Sequence, residues 1–322
     1  MRPLIARLLA VALCGLPPAL HAQAQAYPNK AVRIIAPFPA GGSADLIPRI
    51  IGEKMSLKWG QPVIVENRAG AAGNIGAEYV FKAEPDGYVL LSSPPPPLII
   101  SPNLYRNLPF DPAQFVPVGI MVAIPNVVLV NPKVPVNSIG ELIAFARANP
   151  DKLNYASQGS GTTSHLTGEM FKSLAGVRIT HVPYKGSAPA LTDLLAGQVE
   201  MMFDNLGVSR QHVVSGKLKL LAVCSEMRVA SLPDVPALAE ILPGFEAVAW
   251  FGIVAPPKTP MPIAEKISAA IAEALKLPDV QKRLADLSAE AIASTPAQMA
   301  AFMKKDAERW RGVIRSAGVR AD

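Results

Sequence analysis

One pattern occurs twice in this chain: a short apolar strand, a turn of tiny residues, then a helix start. The first copy runs Val32-Arg33-Ile34-Ile35-Ala36, then Pro37-Phe38-Pro39-Ala40-Gly41-Gly42-Ser43-Ala44-Asp45, then a helix from Leu46 to Met55. The second runs Leu153-Asn154-Tyr155-Ala156-Ser157, then Gln158-Gly159-Ser160-Gly161-Thr162-Thr163, then a helix from His165 to Leu174. Residues without bulky side chains let a ligand approach the backbone, and a helix start beyond them points free N–H groups at it. The helix dipole adds to this, so each turn reads as a small anion receptor. Two such turns, far apart in sequence, predict two lobes holding one anionic ligand between them.

The rest of the chain fits a parallel α/β design, because strands and helices alternate throughout. Strands are expected at Val63–Glu66, Tyr88–Ser92, Val127–Val130, Arg178–Val182, Val199–Phe203, Leu218–Cys224 and Phe251–Ala255. Between them fall helices ending near Ala83, then Ile139–Ala148 and Ala188–Leu195, the last with Ser187 as N-cap and Gly197 as terminator. Three amphipathic helices close the chain, the last carrying Met303, Ala307, Trp310 and Ile314 on one face. Proline dominates the middle, at Pro94 to Pro97, Pro102, Pro109, Pro112, Pro117 and Pro125. Such a stretch is read as wrapped surface or cleft lining, excluded from regular helix and from central strands.

Two apolar strands flanking a compact central block suggest one domain inserted into another. The expected fold is a two-lobed α/β architecture. Each lobe holds a mostly parallel sheet flanked by helices, and two crossover strands join the lobes. Residues 27–126 and 248–322 form the discontinuous first lobe, and residues 127–247 form the inserted second.

Residues 1–26 read as a secretory signal: Arg2 and Arg7, then apolar Leu8 to Leu20, then Ala22-Gln23-Ala24-Gln25-Ala26 with cleavage after Ala26 or Ala24. The apolar part is too short to span a bilayer, which takes about 20 residues. Beyond it only Cys224 remains, a buried structural thiol on this reading, so no intrachain disulfide forms. The net charge of +6 includes two arginines of the signal. No basic stripe interleaved with aromatics is present, which argues against nucleic acid as a partner. There is no G-x-S-x-G elbow, no H-E-x-x-H and no Walker A, and no His/Cys set has metal-ligand spacing. No catalytic residue, metal or cofactor is therefore expected. Gly159-x-Gly161 lacks the third glycine and the distal acid of a dinucleotide fingerprint. Ser160 and His165 are too close along one helix start to orient each other as nucleophile and base. An exported hydrolase on a similar two-lobed fold is the alternative.

At this point a family resemblance is carried by Pro37 to Asp45, Val65-Glu66-Asn67-Arg68-Ala69-Gly70-Ala71 and Pro85-Asp86-Gly87-Tyr88. It is carried further by Gly159 to Thr162, His165-Leu166, His181-Val182-Pro183-Tyr184-Lys185-Gly186, Phe203-Asp204-Asn205 and Trp250-Phe251-Gly252. In this order they resemble the Bug family of extracytoplasmic solute receptors, the binding components of tripartite tricarboxylate transporters. The resemblance implies a monomeric periplasmic receptor with the two-lobed, type II-like binding-protein fold, closing over a small carboxylate held largely by backbone amides and ordered waters. It also implies transient docking to integral-membrane transporter subunits. The candidate ligand-binding residues are Phe38, Pro39, Ala40, Gly41, Gly42, Ser43 and Asp45 at the first turn, with Asn74 after the loop that follows Val63–Glu66. From the other lobe come Ser160, Gly161, Thr162, Thr163, His165, Tyr184 and Asp204.

Several of these carry two readings. His165 is a neutral cleft donor or a packing residue. Asp204, at a strand end, repels an anion unless it binds an amino group, a water or a hinge partner. Trp250 and Phe38 stack on the ligand or belong to the core, and Lys185 is expected to face solvent. Two features depart from the family pattern. With Asp45 as N-cap, Pro48 falls at the third helical position, where its missing N–H costs nothing. Pro94 to Pro97, if they line the cleft, supply a stiff apolar wall.

Overall fold

The computed structural model describes residues 27–320; the expected signal and its cleavage sites lie outside them. β1 (Val32–Ala36) is an almost wholly buried apolar strand, as expected where helices cover both faces of a parallel sheet. It feeds α1 (Ser43–Trp59), and β2 (Val63–Asn67), α2 (Asn74–Phe81) and β3 (Val89–Ser93) follow. β2 and β3 flank β1, both parallel to it. A π-helical turn at Pro96–Ile100 then runs into the short α3 (Ser101–Leu104), and the chain enters β4 (Val116–Val130).

The second half repeats the scheme. It comprises α4 (Ile139–Ala148), β5 (Asn154–Ser157), α5 (Thr163–Ala175), β6 (Thr180–Pro183), α6 (Ser187–Ala196) and β7 (Met201–Asn205). α7 (Leu206–Val214) and β8 (Lys219–Val223) complete it. The chain returns through β9 (Val248–Ala255) and finishes with α8 (Met261–Leu275), α9 (Pro278–Asp286), β10 (Glu290–Ala291) and α10 (Pro296–Ala317).

The strand order is β2-β1-β3-β9-β4-β7-β5-β6, with β8 and β10 also paired to β4. β4 pairs antiparallel with β9 as far as Pro125↔Val248, then with β7 from Asn126↔Asn205 onward. The return crosses at the same level: Cys224 N donates to Asn126 O at 2.7 Å, and Asn126 N donates to Ala247 O at 3.0 Å. Under α1 and α8, Ile34, Ile47, Ile51, Ile267 and Ile271 form one core. Val127, Leu129, Ala190, Leu194 and Met202 form another beneath α6. A third, with Tyr155, Phe171 and Phe203, extends to Trp310 and Ile314 of α10.

Three sequence expectations need correction. The proline stretch includes a central strand, since Pro117 and Pro125 both lie within β4. The ladder with β9 shifts register between Pro117 and Gly119, and Pro125 is the last β4 residue paired to β9. Each missing N–H thus falls at an irregularity or an end, where a proline is tolerated. The Pro94 to Pro97 run is not surface either: residues 94–100 are all buried.

The third concerns α1. Its N-cap is Gly42, not Asp45, which puts Pro48 at the sixth helical position rather than the third. There the ring crowds the Ala44 carbonyl and denies it a hydrogen bond. Pro48→Ala should therefore stabilise the fold by about 1 kcal/mol, after subtracting the greater freedom of the unfolded chain and the methylenes lost from a buried site. Denaturant titration checks this, and an unchanged or lower midpoint contradicts it.

Candidate functional site

The first turn is built around positions where side chains are absent. Gly41 adopts φ +90°, which the chain needs to swing from β1 into α1. Gly42 is extended (φ −89°, ψ 171°) and offers no side-chain cap, so the first amides of α1 are left for an outside partner. Ser43, only 3% exposed, has a hydroxyl with no hydrogen-bond partner. Asp45 supports this turn from within. Its carboxylate accepts from Gly41 N at 3.1 Å, Arg49 Nε at 2.8 Å and Asn67 Nδ2 at 2.8 Å. Burial by itself pushes this carboxyl up, but the bonds from Arg49, Asn67 and Gly41 outweigh it and hold the group below the usual range.

Facing this turn is the start of α6 rather than that of α5. Gly186 (φ +108°) caps α6, and its own N–H is taken by Gln158 O at 3.0 Å. Ser187 is thus the first helical residue, not the cap. The two helix starts oppose each other closely: a Cβ at Gly42 would lie 3.9 Å from Ser187 Oγ, and one at Gly186 would lie 3.1 Å from Pro39 Cδ. Between them is a cavity lined by Phe38, Pro39, Ala40, Gly42, Ser43 and Ala44 on one side. Gln158, Gly186, Ser187, Ala188 and Asn205 line the other, with Pro94 and Phe251 completing the wall. The space between these atoms, its solvent-open mouth included, is about 350 Å³. The walls stand nearly in contact.

The second turn does something else. Ser160, Gly161, Thr162, Thr163 and His165 lie outside this cavity. Thr162 caps α5 by accepting from His165 N at 3.3 Å, and Gly161 N donates to His165 Nδ1 at 3.1 Å. Gly161 also packs against Leu104 and Ala72, at 3.0 and 3.8 Å from where a Cβ would sit. A side-chain cap and an imidazole thus engage the amides of His165 and Gly161 from within the turn. Asp45, Asn74, Tyr184, Asp204 and Gly41 are likewise absent from the lining. Asn74 opens α2 and leaves its buried Oδ1 unpartnered. Tyr184 donates to Asp193 Oδ2 at 2.8 Å, and burial, then Asp193, pushes its phenol up to about 12. Trp250 is a core residue whose indole donates to Asp306 Oδ2 at 2.8 Å, whereas Phe38 lines the cavity. Lys185 is exposed.

Asp204 sits behind the cavity, fully buried. Its Oδ1 accepts from Gln158 Nε2, from Ser187 Oγ at 2.9 Å and from Asn205 N at 2.8 Å, while Oδ2 has no partner. Burial pushes the carboxyl up to about 6, partly opposed by those three donors. Gln158 Nε2 also reaches Asn205 Oδ1 at 3.0 Å, Asn205 Nδ2 reaches Asn126 Oδ1 at 2.8 Å, and Asn126 Nδ2 reaches Thr167 Oγ1 at 2.7 Å. A polar chain thus links the cavity wall to β4 where that strand changes partners.

A second buried titratable group lies beneath α5. His165 stacks on His181 at 4.0 Å, and His181 stacks on Tyr155 at 4.9 Å. Burial lowers His165 to about 4, with Glu169 opposing and Lys172 adding; burial, then His165 and Lys172, lowers His181 to about 3. His165 is therefore neutral, chiefly through burial rather than the helix dipole. These values set a pH dependence. In the unfolded chain both imidazoles titrate near 6.5 and Asp204 near 3.8. Near pH 5 the unfolded chain holds two imidazole protons that the fold lacks, and the fold holds one at Asp204. The unfolded state gains about one net proton, so stability falls as the pH is lowered. From pH 7 to 5 these groups should remove about 2 kcal/mol, or about 3 °C of Tm. A Tm that rises over this interval contradicts the assignment.

Residues 47–319 match the model of the tripartite tricarboxylate transporter family receptor. The chain belongs to this family. BugT of Bordetella pertussis is 37% identical over 300 residues, covering 92% of each protein. Among solved structures, R. palustris Rpa4515 with adipate superposes with a TM-score of 0.89 at 36% identity, covering 91% of this chain and 99% of that one. MatC (Rpa3494) from Rhodopseudomonas palustris, with bound malate, gives 0.85 at 33% identity, covering 89% of this chain and all of the other. The two-lobed α/β fold expected from the sequence is that of these family receptors.

The cavity-lining residues that the sequence reading did not name as ligand candidates are Ala44, Pro94, Gln158, Gly186, Ser187, Ala188, Asn205 and Phe251. A signal existed at Lys185-Gly186-Ser187, where a strand ends in a glycine and a helix begins. A lone glycine is a weaker mark than the two paired turns. No group of His, Cys, Asp and Glu able to hold a metal ion occurs among the described residues. No described helix is long and apolar enough to cross a membrane.

Proposed function

We propose that this chain is an exported receptor that captures a small carboxylate between the starts of α1 and α6 and presents it to a tripartite membrane transporter. The observation that carries the reading is the meeting of two helix N-termini, neither capped by a side chain, beside the buried, unpartnered Ser43 hydroxyl. Oriented amides and positive dipole ends suit an anion without any cationic side chain. The adipate and malate held by two family members support the ligand class.

In this reading residues 27–126 and 248–322 form one lobe and residues 127–247 the other. They act as a monomer in the periplasm after cleavage behind Ala26 or Ala24. The partner switch of β4 between Pro125 and Asn126 supports that division. Binding rather than turnover is favoured because the Ser157–His181 hydrogen bond of 2.7 Å starts from a fully buried serine, out of reach of a substrate.

A thermal-shift screen of mono-, di- and tricarboxylates tests the proposal, because a ligand that binds only the folded state raises Tm. The expected result is a rise with at least one carboxylate, accompanied by compaction in small-angle scattering. Indifference to every carboxylate, or turnover of the one bound, removes it.

A further inference from the structure

We infer that the ligand of this site carries a single carboxylate on an uncharged, chiefly apolar body, and that a second carboxylate is rejected. The inference rests on the receptor reading above and specifies what that receptor selects.

The donors converge on one place. The starts of α1 and α6 face each other closely enough that a Cβ at Gly42 would touch Ser187 Oγ, with the unpartnered Ser43 hydroxyl beside them. That geometry serves one anionic group held by both helices, not two separated ones. Elsewhere the polar side chains of the described wall already have partners within the protein. Gln158 Nε2 is committed to Asp204 and Asn205, Ser187 Oγ to Asp204, and Asn205 Nδ2 to Asn126. What remains are the rings of Phe38, Pro94 and Phe251. Phe38 continues the apolar surface to Pro97, the two rings meeting over Gly73 at 3.2 and 3.3 Å from where a Cβ would be.

Charge points the same way. No lysine, arginine or histidine is among the residues lining the cavity. Arg49, the cation beside the first turn, is occupied by Asp45 and Asn67. Behind the opposite wall lies the buried carboxylate of Asp204, with one oxygen unpartnered. A second ligand carboxylate would give up its hydration, find no compensating donor and face a like charge. An apolar body loses nothing by entering and gains contact with the rings.

The test is titration calorimetry at pH 7.5 on the chain freed of ligand by unfolding and refolding. Hexanoate is paired with adipate, and benzoate with terephthalate, so that each pair differs by one carboxylate. At least one monocarboxylate should bind ten to a hundred times tighter than its dicarboxylate partner. Adipate or terephthalate binding as tightly as, or tighter than, its partner overturns the inference. So does a response confined to amino acids, hydroxy acids or other dicarboxylates, which would still leave the receptor reading in place. Silence from every carboxylate removes both.

Discussion

Gly42→Val should fold like the parent chain and lose at least about a hundredfold in affinity for its carboxylate. The backbone at Gly42 is extended, with φ −89°, so a branched residue adopts it without strain. Its Cβ would sit 3.9 Å from Ser187 Oγ, and the two methyl groups beyond it would fill the gap between the helix starts. Blocking a pair of charge-assisted hydrogen bonds costs roughly 3–6 kcal/mol. Calorimetric titration measures the loss, with circular dichroism confirming the fold. Gly42→Ala, reaching only ordinary contact distance, should cost much less. Lys185→Ala should leave affinity within about threefold, because that side chain stands outside the cavity. Normal binding by a folded Gly42→Val protein would show that the ligand does not lie between α1 and α6. Gly161→Val is no equivalent probe from the other half. It combines φ +79° with a 3.0 Å approach to Leu104, so it would report on packing.

Trp250→Ala should have the opposite profile: a large loss of stability with little change in binding. The indole is 2% exposed, and its N–H is bonded to a carboxylate, Asp306, that is itself 4% exposed. Removing a buried ring of this size costs about 3–5 kcal/mol, and leaving a buried acceptor short of a donor adds about 1 kcal/mol or more. The Arg309 bond to the other oxygen of Asp306, at 2.8 Å, limits the second contribution. Denaturant unfolding should show about 4–6 kcal/mol lost, a large share of the stability of a typical protein. An affinity that collapses in a variant still folded would return Trp250 to the ligand site.

How far the sequence could be read follows the range of the forces involved. β1, the turn after it and α1 were legible because glycine pairs, apolar runs and helix periodicity act locally. Phe38, Pro39, Ala40, Gly42 and Ser43 do line the cavity beside α6 for that reason, while the amide of Gly41 serves Asp45. The α5 turn looked as good locally, yet Thr162 and His165 engage two of its amides from within, those of His165 and Gly161. A hydroxyl and an imidazole one turn away compete with any ligand, and only three-dimensional structure shows which wins. The pairing of α1 with α6 was out of reach for the complementary reason. It depends on β7 and β5 bringing Gln158, Asp204 and Ser187 together, residues 17 to 46 positions apart in sequence. The extent of β4 was missed because proline penalises a strand only where its missing N–H is needed, and register is a tertiary property.

That strand has a consequence for how tightly such a receptor can bind. At Asn126 four lengths of backbone or side chain are tied together: β4 itself, the return at Cys224 and Ala247, and Asn205. Because β4 passes through unbroken, the halves cannot wander on a slack tether. On the proposed division into lobes, their relative freedom would be reduced to little more than one angle. The disorder surrendered on closing around a ligand is correspondingly small, and most of the favourable contact survives as measured affinity. A cavity that offers a small acid only a few amides and three rings can in this way hold it firmly.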